Sequence, residues 1–138
     1  KHAQESAKFA LRFLRKTNFP REKIELVAQA IKEHEGLWLD KPLENLESQV
    51  LWDADKLTKL GLTSIFHFSM SQLAAGTNTT LQELIEQGLY IDWPEKTVRS
   101  MHTKPARKAA KSRLRAFRRI LQELTYELTG KDLEAGNL

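Results

Sequence analysis

Cysteine is absent from the 138 residues. That excludes a disulfide framework, a thiolate metal site and a cysteine nucleophile. It fits a reducing compartment, so the expected location is cytoplasmic. No apolar run approaches the ~20 residues needed to cross a bilayer, and no membrane partner is expected. The opening Lys1-His2-Ala3-Gln4-Glu5 lacks a signal-peptide core. Because the chain opens on Lys rather than Met, a fragment of a longer protein is expected. Internal repeats, low-complexity tracts and strand-like alternation are all missing. Histidine is scarce, with only His2, His34, His67 and His102.

What is present reads as helix. The apolar content is 41% and the net charge +4, ordinary for one globular domain with a modest basic excess. Ala3, Ala7, Ala10, Leu11 and Leu14 recur at helical spacing over 3–17. Asn18-Phe19-Pro20 breaks that helix, and Pro20 suits the first turn of the next, which carries Ile24, Val27, Ala28 and Ile31 and ends at Gly36. A loop with Trp38 follows. A third helix is predicted from Leu43 to Leu60, with Leu43, Leu46, Val50, Ala54 and Leu57 as its apolar stripe and Gly61 as its C-cap. Thr63 or Ser64 opens a fourth helix, stopped at Gly76. Thr80-x-x-Glu83 is a capping-box pattern for a fifth, ending at Gly88. Tyr90 to Pro94 reads as a turn. After Pro105, Ala110, Leu114, Phe117, Leu121, Leu124 and Leu128 mark the longest helix, closed by Gly130, and the tail 131–138 should fray. An all-α domain of five to six helices follows. Phe9, Phe13, Phe66, Phe68 and Phe117 are expected in its core, and Trp38 and Trp93 between helices.

Few residues can do chemistry. His34 ends an amphipathic helix, where a side chain can project into a cleft or simply be solvated. Asp53 and Asp55 lie mid-helix among Leu51, Trp52 and Leu57, where aspartate is a poor helix former. A metal ion would offset the desolvation of a buried carboxylate; pairing of one aspartate with Lys56 or Lys59 would serve as well. On the helical wheel Asp53 flanks the apolar stripe and Asp55 points further away. Trp52 is the aromatic expected to border a metal cleft.

The stretch Glu47-Ser48-Gln49-Val50-Leu51-Trp52-Asp53-Ala54-Asp55-Lys56-Leu57-Thr58-Lys59-Leu60-Gly61 resembles the late metal-binding helix of HD-superfamily phosphohydrolases, with its Asp-Ala-Asp-Arg-Leu pattern. His2-x-x-x-Ser6-Ala7, Ala30-Ile31-x-x-His34 and Thr103-x-x-x-Arg107-x-x-Ala110-x-x-Arg113 resemble further elements of that family, in the same order. The resemblance implies an HD-domain-like helical bundle, with 1–76 as the remnant of the motif core and 77–138 as a C-terminal extension. It implies metal-dependent hydrolysis of a phosphoester or phosphoanhydride, with a nucleotide as the expected substrate. By the same likeness Asp55 is a metal ligand, His34 binds a second metal, and His2 is a further ligand. The divalent ion could be manganese, magnesium, iron, nickel or zinc. Lys56, Lys59 and His67 become candidates for holding substrate phosphate. The name-giving His-Asp pair is absent, so the implied metal shell is incomplete here and no catalytic residue is assigned. Thr58 stands where relatives often carry Asp.

Between Lys104 and Arg119 lie eight basic residues and no acid. They are either the solvated face of a packed helix or a surface for a phosphate-rich partner. The alternative to an enzyme is therefore a non-catalytic nucleic-acid-binding or regulatory module. No aromatic interleaving or helix-turn-helix spacing supports it.

Overall fold

A computed structural model describes residues 2–134. Among the described residues all regular structure is helical, in the order α1 (His2–Leu14), α2 (Arg21–Glu33), α3 (Leu46–Thr58), α4 (Leu62–Ala74), α5 (Leu81–Tyr90), α6 (Trp93–Arg99), α7 (Lys104–Thr129) and α8 (Lys131–Glu134). The all-α class stands, with eight helices rather than five to six. The chain builds outward from two contacts. α1 and α2 pair, and α2 leans on α3; α7 then touches α3, α4, α5 and α6. The core lies where α3, α6 and α7 meet, at Leu60, Val98, Met101, Ala106 and Ala110.

Local chemistry explains the two added helices. Residues 90–94 are not a simple turn, because Pro94 sits in the first turn of α6, where its missing N–H costs nothing. Gly130 closes α7 in the left-handed conformation, φ 71°. α8 then makes one further turn where fraying was expected, and 135–138 lie outside the described residues. Gly88 does not end α5, which runs through it to Tyr90. A Cβ at Gly88 would stand 2.7 Å from Leu121 Cδ1, so glycine here admits α7 rather than stopping a helix. Gly61 is likewise not the C-cap of α3. Lys59 fills that place, and Gly61, at φ 90°, precedes α4. The capping box at Thr80 and Glu83 is present as read from the sequence.

The apolar faces depart more sharply from expectation. In α3 the middle of the predicted stripe turns outward, with Leu46 64% and Val50 51% exposed, and Leu57 alone of it packs against the core, while Ser48, Trp52, Asp53 and Lys56 are buried. Phe9 and Phe13 stack on each other at the surface, and Phe66 and Phe68 are exposed as well. Of the five phenylalanines assigned to the core, only Phe117 is partly buried and packed, near Gly88. α4 is the extreme case: seven of its thirteen residues are apolar, and none is buried. Trp93 packs against the core, and Trp38 is half-exposed under the ammonium of Lys96.

Arg118 binds α5, α6 and α7 together. Its guanidinium donates to the carbonyls of Gly88, Leu89 (2.8 Å) and Ile91 (2.6 Å) and forks onto the Glu95 carboxylate at 2.7 and 2.9 Å. It thus satisfies the last carbonyls of α5, which lack helical partners. A lysine has neither the fork nor enough donors in the right directions. Arg118→Lys should lose roughly 1–3 kcal/mol in urea unfolding, whereas Arg119→Ala, one residue along, should stay within about 0.5 kcal/mol.

Candidate functional site

The buried face of α3 carries two charged groups, Asp53 and Lys56, each with a different task. Asp53 reaches across to the turn before α7. Its carboxylate accepts the N–H groups of His102 (2.9 Å) and Thr103 (2.8 Å), 49 and 50 residues away. It thereby places a negative charge at the start of a 26-residue helix, where the helix dipole favours it. Thr103 completes the cap by accepting the Ala106 N–H. His102 stands beside Asp53, its Nδ1 3.4 Å from Oδ1, with both side chains almost fully buried. Its Nε2 accepts the Leu43 N–H at 2.9 Å, so the ring proton lies on Nδ1, facing the carboxylate.

Asp55 lies on the neighbouring face, one quarter exposed. Its Oδ2 accepts from Lys56 Nζ at 2.5 Å and from Lys59 Nζ at 2.9 Å. Among the described residues its Oδ1 accepts no hydrogen bond. Lys56 is wholly buried. Its ammonium lies 4.2 Å from the centre of the Trp52 ring and donates to the His34 carbonyl at 2.6 Å. An ion pair, a carbonyl and an aromatic face together replace the water that a buried ammonium loses. Trp52 is therefore the floor of a cation site within the core rather than the border of an open cleft.

These contacts set the proton affinities. Burial pushes the Asp55 carboxyl up, but the two lysine hydrogen bonds outweigh it and hold it below the usual carboxylate value. Burial pulls Lys56 below the usual ammonium value, against the opposing pull of Asp55.

The residues singled out from the sequence are partly brought together. The C-terminal end of α2, with His34 as its cap residue, meets Asp55 through Lys56, and Lys59 joins them. The half-buried His34 turns its Nδ1 onto the Ile31 carbonyl. His2 lies exposed on α1 and His67 exposed on α4. Among the described residues no three histidine or carboxylate side chains converge to hold a metal ion. Of the eight cations in α7, three are used internally. Arg107 donates to the Met101 and His102 carbonyls, Arg113 to the Leu57 carbonyl, and Arg118 to its α5–α6 partners.

His102 was passed over in the sequence. The one local signal was its place directly before the Thr103 cap; its partners lie far away along the chain. No helix of the described residues is long and apolar enough to cross a membrane. Comparison with family models, curated proteins and solved structures gives no match.

Asp53→Ala would strand two backbone donors at the α3–α7 contact, for an expected loss of roughly 2–4 kcal/mol in thermal or urea unfolding. The pH dependence has two limbs. Asp55 binds its proton more weakly folded than unfolded, so its ion pairs stabilise the fold above the ordinary carboxylate range. That contribution disappears as pH falls through the lowered folded value. The folded Lys56 also binds its proton more weakly, so stability rises with pH between its lowered value and that of the unfolded chain. Urea midpoints measured downward from the ordinary carboxylate range, and from neutral pH up to the ordinary lysine range, should show Asp55→Asn flattening the acid limb and Lys56→Met removing the alkaline rise.

Proposed function

We propose that this chain is the helical part of a metal-dependent phosphohydrolase of the HD superfamily, acting on a phosphoester or phosphoanhydride, with a nucleotide as substrate. One observation carries the reading. The Asp55 carboxylate and the end of α2 at His34, distant in sequence, meet around a single ammonium, Lys56 Nζ. The resemblance names these two residues, and the Lys56 ammonium links the carboxylate of one to the backbone carbonyl of the other.

The donor atoms suit a cation. Both lysines lie on Asp55 Oδ2, which leaves Oδ1 as an unshared acceptor. The contact of His34 Nδ1 with the Ile31 carbonyl holds the proton on that nitrogen and leaves the Nε2 lone pair open. Metal-binding histidines are oriented in this way by a backbone carbonyl. Asp55 and His34 would thus hold part of a divalent ion's shell, the remaining ligands coming from outside the described residues. Such an ion supplies Lewis acidity at a phosphoryl group and lowers the pKa of water. The protein's own contribution is electrostatic. Lys56 and Lys59 keep Asp55 ionised, and Lys59, partly exposed, can turn from the carboxylate towards a phosphate.

The test is a panel of phosphorylated nucleotides assayed on the full natural chain with manganese, magnesium, iron, nickel or zinc. Asp55→Ala and His34→Ala should each lower turnover at least ~100-fold and reduce bound metal. Lys59→Ala, which removes one competitor for the carboxylate, should keep its metal. Full activity in Asp55→Ala, with its helical spectrum intact, would remove the assignment; absence of both turnover and bound metal in the unaltered chain would leave a non-catalytic helical module.

A further inference from the structure

A concavity lies away from the α4 surface, where the α2–α3 loop faces the α6–α7 turn. It is a cleft of about 740 Å³. Four cations line it, Lys41 from the loop, Arg99 from the last turn of α6, and Arg107 and Lys111 from successive turns of α7, against one carboxylate, Asp40. Among the described residues Lys41, Arg99 and Lys111 take part in no ion pair. Like charges gathered in one concavity repel each other and focus a positive potential there, which an anion relieves.

The walls are held by specific bonds. His102 accepts the Leu43 N–H, and Gln49 donates to the Leu43 carbonyl at 2.7 Å, pinning the loop that carries Lys41. Arg107 donates to the carbonyls of Met101 (3.0 Å) and His102 (2.6 Å), which fixes its guanidinium at the rim with further donors unused. The Asp53 clamp holds the turn beneath. Three chain segments are therefore fixed relative to one another before any ligand arrives.

We propose that this cleft binds the polyphosphate group of a small anionic ligand. A single phosphate would meet only part of a cation set spread over three segments. Two or three linked phosphates match both the number of cations and a volume in the usual range for small-molecule sites. The ligand is either an inorganic polyphosphate or the polyphosphate arm of a nucleotide. The site needs neither Asp55 nor a metal, so it stands apart from the hydrolase proposal.

Calorimetric titration with inorganic triphosphate in the presence of a metal chelator tests it without turnover. The full chain should saturate at one site. The double variant Arg99→Ala/Lys111→Ala should weaken binding at least about tenfold. Arg115→Ala/Arg119→Ala removes the same charge outside the cleft and should change binding by less than about twofold. Circular dichroism checks that both pairs fold. Adenosine triphosphate run beside triphosphate separates the sources: tighter binding points to a nucleotide, equal binding to an inorganic chain. Failure of triphosphate to saturate, or equal weakening in the two double variants, would overturn the site. Saturation by a single-stranded oligonucleotide but not by triphosphate would also overturn it, in favour of a strand-binding surface.

Discussion

The Asp53 carboxylate is the constraint on which the other arrangements rest. It is a short side chain in the middle of α3, and it takes both backbone donors that open α7. That contact sets where a 26-residue helix starts and how it faces α3. The turn so fixed carries His102, whose ring in turn holds the loop at Leu43. Met101, the residue before that turn, enters the core beside Leu60 and Ala110. A buried charge is tolerated because two backbone donors and a helix terminus meet it.

One turn along α3, Lys56 is buried under a different logic. Burying an ammonium is costly, and its partners offset that cost only because all of them are in place. The ammonium needs Asp55 beside it, the His34 carbonyl across the α2–α3 contact and the Trp52 ring beneath it. A cationic centre is thereby built at the junction of α2 and α3. A divalent ion would enter an environment already arranged around positive charge, competing with lysine for one aspartate.

Helix positions were largely legible in the sequence, because spacing, capping residues and glycine stops are local signals. The capping box at Thr80 and the Gly130 stop lie where the pattern put them. Gly88 and the 90–94 segment were misread because glycine and proline have two meanings. Gly88 serves the close approach of Leu121, and Pro94 starts a helix. The orientation of α3 was not legible from periodicity. Its stripe of Leu46, Val50 and Ala54 is the more apolar face, yet Asp53 and Lys56 are buried because their partners lie in α2 and the α6–α7 turn. Of the candidate site, Asp55 and the α2 end were found by motif likeness. His102 and the basic cleft were not, since Lys41, Arg99 and Lys111 are brought together only by tertiary contacts.

α4 leaves a thermodynamic consequence. Its thirteen residues bury no side chain fully, and it is tied to the rest mainly through its contact with α7. Little apolar surface is lost to water when it comes away, so the segment can open while the α3–α6–α7 core stays closed. Its amide protons would then exchange with solvent long before those of α7, making α4 a cooperative unit of its own within the helical fold.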